Sequence, residues 1–222
     1  MTTRTTDPFS PVDALRYGWQ ETIANPKNLL PVLGAGAILA LIESSLSHAR
    51  GAGAVLLLVH VLQVGVTLAL IRTALRLHDD EPVEWNLREL LAGFWPFLLT
   101  HALYWLIVVA GTVLLVVPGV LWAIRFGFAS FVVAEGGRDP LEALRESRRL
   151  TAGQGWPLFK LGLLLLGVNL LGAIALGIGL LVTVPTSCLA AAYAFRRLQE
   201  HGAPSAVRAE SPRPSMPRQV LT

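Results

Sequence analysis

Arg125 stands inside an otherwise apolar stretch, and an ionisable side chain there is a functional-site candidate by default. Two chemistries fit it. It can face an internal cavity and bind an anion such as a lipid phosphate, or it can be a structural arginine that donates to helix carbonyls or a polar neighbour. Other polar side chains share the apolar stretches. His60, Gln63 and Thr67 fall on one helical face, Thr100, His101 and Tyr104 cluster further on, and Asn169 lies in the middle of a later stretch. With Arg125 they could line a polar cavity, and interhelical hydrogen bonds that only fix packing give the same pattern. Neither histidine has a carboxylate at a metal-ligand offset, and no nucleophile–base pairing follows from the spacing. The run His78-Asp79-Asp80-Glu81 suits a metal ion or, more simply, a solvated loop before a helix start. The expectation is a protein without catalytic machinery, cofactor or metal.

The elements that position these residues are hydrophobic. Of 222 residues 53% are hydrophobic and 15% charged, with mean hydropathy +0.56. A soluble domain carries about 25% charged residues, so this composition belongs to a chain solvated by lipid. Six spans are predicted, approximately at 28–48, 52–76, 96–117, 119–135, 156–178 and 180–198. Each must be helical, because unpaired backbone groups in lipid are costly. Pro118-Gly119 and Pro185-Thr186 are expected at two tight turns on the far side, and small residues four apart (Gly36/Ala40, Gly65/Ala69, Ala123/Gly127, Ala173/Gly177) at close helix contacts.

Basic residues gather at the N-terminus, near 78–90 and 136–155 and in the C-terminal tail, with Arg50 on the other side. This places both termini in the cytoplasm. Although the pI is near 9.5, the basic residues are dispersed over loops and do not form a stripe interleaved with aromatics, which argues against nucleic acid. They fit attraction to anionic headgroups instead. The single cysteine, Cys188, excludes an internal disulfide. Residues 1–10 contain no cleavable signal, so the first span is expected to direct insertion.

A threefold pattern organises residues 1–200. Ser10-Pro11-Val12-Asp13, Glu81-Pro82-Val83-Glu84 and Asp139-Pro140-Leu141-Glu142 each read as a helix start, with Glu81 the weakest cap. Asn25-Pro26, Trp95-Pro96 and Trp156-Pro157 follow, each before an apolar run that turns and returns. The expected fold is all-α, with six transmembrane helices built as three units (10–78, 81–136, 139–200), each an interfacial amphipathic helix plus a transmembrane hairpin. Residues 201–222 are expected to form a disordered cytoplasmic tail. In the third amphipathic segment, 140–151, Leu141, Leu144 and Leu150 form an apolar stripe opposite Glu142, Arg145, Glu146 and Arg149. Such a helix either lies in the interface with its arginines near phosphates or packs over the mouth of the bundle. Trp19, Trp85, Trp95 and Trp156, with Arg145 and Arg149, are the expected interfacial anchors.

The stretch 117–158, VPGVLWAIRFGFASFVVAEGGRDPLEALRESRRLTAGQGWPL, combines Pro-Gly, an intramembrane Arg, a Phe-rich span end, P-x-x-A-L-x-x-S and Leu-Thr-x-Gly. It resembles the YciC-like bacterial inner-membrane proteins, related to the membrane domain of some glycerophosphoryl diester phosphodiesterases. The opening ALRYGW followed by NP is similar to that family's start. The resemblance implies a multi-pass protein of the bacterial inner membrane. The phosphodiesterase activity belongs to a separate catalytic domain, so no catalytic residue is carried over. The expected function is lipid binding or a scaffold and accessory role in an envelope process, with membrane phospholipids and a protein docked on the cytoplasmic helices or tail as partners. The alternative is a small transporter or channel with a polar path near Arg125.

Overall fold

The computed structural model describes residues 8–48, 51–84, 86–114, 116–136, 139–174 and 179–202. Among them the secondary structure is entirely helical: α1 Pro11–Ala24, α2 Pro26–Leu46, α3 Gly53–His78, α4 Leu87–Leu114, α5 Val116–Phe126, α6 Ala129–Gly136, α7 Pro140–Leu150, α8 Gly155–Ile174 and α9 Leu180–Gly202. Five segments are long and apolar enough to cross a membrane: Pro26–Leu46, Gly53–His78, Leu87–Val113, Pro118–Gly136 and Gly155–Ile174. Large apolar side chains stand exposed along them, including Leu41, Leu57, Leu106 and Leu166. A surface of this kind is stable against lipid and not against water.

The helix α9, expected as a sixth span, is not among the five. Thr183, Thr186, Ser187, Arg196 and Arg197 dilute its hydropathy. It can carry them because it is the centre of the assembly, packed against α1, α3 and α8. Leu189, Ala190, Ala192, Ala194 and Phe195 are all fully buried there. The core continues through Leu68, Ala74 and Leu75 of α3 and Phe131, Val132 and Val133 of α6.

Two helix starts appear as expected. The Ser10 hydroxyl accepts the Asp13 N–H and the Asp139 carboxylate accepts the Leu141 N–H, each ahead of a proline in the first turn. The second does not. Residues 81–84 are non-helical, and α4 begins only at Leu87. The Glu81 N–H is held by the Arg76 carbonyl and the Glu84 carbonyl by the Arg76 guanidinium, while Asn86 supplies the better cap, accepting the Arg88 N–H at 3.0 Å. From there α4 runs unbroken through Pro96, so the separate short helix expected before residue 96 is part of a longer one.

Two expected turns also lie inside helices, Pro118-Gly119 in α5 and Pro185-Thr186 in α9. Pro118 is tolerated because it falls in the first turn, where its missing N–H has no partner to lose. Gly119 serves contact instead of turning. A Cβ there would lie 2.4 Å from Thr112 Oγ1, and one on Gly111 2.7 Å from the Trp122 ring. The fourth predicted span, 119–135, is interrupted at Gly127-Phe128, where α5 ends and α6 begins.

Candidate functional site

The interruption leaves backbone groups without helical partners, and α7 supplies them. The Ser147 hydroxyl donates to the Arg125 carbonyl at 2.9 Å and accepts the Phe128 N–H at 3.2 Å. The Thr151 hydroxyl stands 3.2 Å from the same Arg125 carbonyl and 3.3 Å from that of Arg148. Irregular backbone in an apolar setting is stable only when protein groups satisfy it in this way. Thus α7 is packed into the bundle along the line Ala143, Leu144, Ser147 and Thr151, all buried. Leu141, on the expected apolar stripe, is 54% exposed.

The same two positions of α1 make the matching contact with α9. Gly18 lies so close that a Cβ would sit 2.2 Å from the Thr186 carbonyl, and Thr186 Oγ1 is 3.1 Å from Thr22 Oγ1. Gly18 and Ser147 are each seven residues beyond the opening proline, Thr22 and Thr151 eleven.

Both sides of this junction carry basic residues, Arg125 on α5 and Arg145, Arg148 and Arg149 on α7. Arg125, Arg145 and Arg148 are exposed, and among the described residues none of them makes an ion pair. Arg149 is bound to Glu146 at 2.7 Å. Further along, Lys160 lies 5.4 Å from the ring centre of Trp156, itself 65% exposed. Of the other expected anchors, Trp19 and Trp95 are exposed, and Trp85 lies outside the described residues.

The remaining polar candidates do not converge on Arg125. Asn169 donates to the Leu165 carbonyl and to Ser187 Oγ, tying α8 to α9. His101 accepts the Trp105 indole N–H at 3.1 Å and stacks on Phe97. Tyr104 packs edge-on against Trp105, His60 is exposed, and Gln63 is turned toward Gly36 of α2.

A second charged cluster was not anticipated. At the ends of α3, α6 and α9, Arg196 pairs with both Asp79 and Glu135, and Gln199 donates to the other Glu135 oxygen at 2.9 Å. Arg72 donates to the carbonyls of Ala134 (3.2 Å) and Glu89 (2.9 Å), while Arg76 pairs with Glu89 at 3.0 Å. Arg72, Arg76, Asp79, Glu89, Glu135 and Arg196 border a cavity of about 510 Å³. His78, read in sequence as part of a loop, is held between the rings of Tyr17 and Tyr193 at 5.1 and 5.7 Å. Beside this cluster, burial and then the Glu21 charge push the Tyr17 hydroxyl well above its usual range. Burial and then the Asp80 carboxylate push Glu21 up, against a hydrogen bond from Asn25. The only sequence signal was positional: each of these three helices ends in charged residues.

An all-helical fold with five helical segments long and apolar enough to cross a membrane, and with an apolar outer surface, points to the class of α-helical membrane proteins. Within that class the chain belongs to the DUF7847 family, a domain of unknown function whose model matches residues 90–221, more than half of the sequence. Neither curated proteins nor solved structures gave a match.

Proposed function

We propose that this protein is a non-catalytic multi-pass membrane protein that binds anionic phospholipid at the rim around Arg125 and Arg148 and supports an envelope process as a scaffold. The observation that carries the reading is the Thr151 hydroxyl lying between the Arg125 and Arg148 carbonyls, with both side chains exposed and without an ion pair among the described residues. Arginine pairs suit phosphate oxygens, and an exposed Trp156 beside Lys160 suits the headgroup layer.

In this reading α9 is the sixth span. Both termini are cytoplasmic, and the rim faces the inner leaflet of a bacterial inner membrane, in line with the resemblance of 117–158 to the YciC-like proteins. The three-unit architecture finds support in the equivalent seating of α1 on α9 and of α7 on the α5–α6 break. The second unit has kept its hairpin and lost its separate amphipathic helix. A transport path near Arg125 finds less support, since no contact brings His60, Gln63, His101, Tyr104 or Asn169 to Arg125 among the described residues.

The test is native mass spectrometry of the gently extracted protein beside an Arg125→Gln/Arg148→Gln variant. Retention of phosphatidylglycerol or cardiolipin by the wild type, and its loss from a variant of unchanged thermal stability, is the expected result. Equal retention by both would overturn the reading.

A further inference from the structure

The cavity of about 510 Å³ at the ends of α3, α6 and α9 falls in the size range of small-ligand sites, roughly 300–1,000 Å³. Its charges do not cancel. Arg76 neutralises Glu89, but Arg196 faces two carboxylates, Asp79 and Glu135, and leaves that group one negative charge in excess. Two turns before Asp79 on α3, Arg72 donates to carbonyls alone, and among the described residues no carboxylate forms an ion pair with it. Glu81 also lines the cavity, and its carboxylate has no hydrogen bond or ion pair among the described residues. A guanidinium outside any ion pair, though within the field of the Glu89 carboxylate, thus shares one cavity with an unpaired carboxylate and with a surplus negative charge. The lining sums to one net negative charge, and a ligand that meets both the Arg72 guanidinium and the Glu81 carboxylate carries both signs.

The surroundings narrow the class further. A smaller cavity of about 150 Å³ flanks the same Arg72–Arg76 edge of α3 and is walled by Ala69, Val83, Leu87 and Leu90. Leu87 is 69% exposed, on the apolar surface that α4 presents outward. A charged headgroup in the larger space therefore has an apolar exit for an attached chain. No aromatic side chain lines the larger cavity among the described residues, which disfavours a quaternary ammonium, a group recognised by aromatic faces. A primary ammonium, with three N–H donors, matches carboxylates instead.

We propose that this cavity binds the phosphoethanolamine group of a membrane lipid, with phosphate on Arg72 and ammonium on Glu81 beside the Arg196 cluster. The site is separate from the Arg125 rim, and the proposal stands without the anionic-lipid reading.

The experiment places the full chain in nanodiscs of mixed phosphatidylethanolamine, phosphatidylcholine and phosphatidylglycerol and measures the lipid retained on release into the mass spectrometer. The expected result is about tenfold enrichment of the ethanolamine lipid over the choline lipid, lost in Glu81→Gln and in Arg72→Gln, since one charge-assisted hydrogen bond is of that order. Because Arg72 also ties α3 to α4 and α6, Glu81→Gln, in a non-helical segment, is the deciding variant. Phosphatidylglycerol held at the Arg125 rim stays bound in Glu81→Gln, which separates the two sites. No enrichment, or enrichment that survives Glu81→Gln, overturns the proposal. Water-soluble glycerophosphoethanolamine is added in a parallel arm. Competition with the lipid shows that the group itself is recognised. Binding of the soluble compound to a protein that retains no ethanolamine lipid overturns the membrane source.

Discussion

Ser147 holds both sides of the break between α5 and α6, donating to the Arg125 carbonyl at 2.9 Å and accepting the Phe128 N–H at 3.2 Å. One fully buried hydroxyl therefore replaces the helical partners that the chain loses at Gly127. Removing it in Ser147→Ala leaves a buried N–H unmet, which costs about 1–3 kcal/mol. The Thr151 hydroxyl, which donates to the Ser147 carbonyl at 2.9 Å, also lies 3.2 Å from the Arg125 carbonyl, so it can turn to cover part of the loss. The double variant Ser147→Ala/Thr151→Val should then fall below the sum of the two single changes. Chemical denaturation in detergent measures this, and simple additivity would show that the two hydroxyls act independently.

The seat of α1 on α9 gives a second expectation. A Cβ on Gly18 would meet the Thr186 carbonyl at 2.2 Å and the Ala190 nitrogen at 2.9 Å, both backbone atoms that cannot swing aside. Gly18→Ala should destabilise by about 1–3 kcal/mol through overpacking. Gly34→Ala, in α2 with nothing within 4 Å, should be neutral or stabilise by about 0.5–1 kcal/mol through helix propensity. Opposite shifts in melting temperature are the readout. A Gly18→Ala protein as stable as the wild type would mean that α1 does not dock as closely as described.

Arg196 is the joint between three helices, with its side chain 18% exposed and its partners Asp79 and Glu135 30% and 34% exposed. This lies between a surface pair, worth about 0–1 kcal/mol, and a buried one, whose breakage costs about 3–5 kcal/mol. Arg196→Met should cost about 2 kcal/mol, because it leaves two carboxylates near each other without a cation. Adding Asp79→Asn and Glu135→Gln should restore much of the loss. If the triple variant is no better than Arg196→Met alone, packing of the arginine stem and not its charge explains the effect.

What could be read beforehand divides along physical lines. Hydropathy locates α2, α3 and α8 to within a few residues, because lipid-facing helices must be apolar over their whole length. It also locates α9, expected over 180–198, but hydropathy alone does not mark that helix as a span, because a helix buried among other helices can carry Thr183, Thr186 and Arg196. Local cap chemistry correctly signals α1 and α7. It fails at Glu81, where Arg76 binds the Glu81 N–H and the Glu84 carbonyl of a non-helical segment and no periodicity announces that contact. Arg125 stands out as an unusual residue in sequence, yet its carbonyl forms the contact with α7 while its side chain is exposed. The Arg196–Asp79–Glu135 joint brings together residues 61 and 117 positions apart, a relation that only the folded chain contains.

Glu21 gives the pH dependence. Burial, then the Asp80 charge, raise its pKa above the ordinary carboxylate value of 4.5. The folded state therefore holds the proton more tightly than the unfolded chain does. The resulting stabilisation is fully present below pH 4.5 and is lost as pH rises through the folded value, so at neutral pH the ionised carboxylate opposes folding. Glu21→Gln keeps an acceptor for the Asn25 amide, which now donates to Glu21 Oε2 at 2.8 Å, and removes the charge. The variant should melt higher than the wild type at pH 7, and the gap should close as the pH falls to about 4.5. Because other carboxylates titrate in both proteins, the difference between the two melting curves is the quantity to follow. A gap that is constant with pH would assign the effect to packing, and a wild type more stable at pH 7 would mean that the Glu21 charge is compensated in the fold.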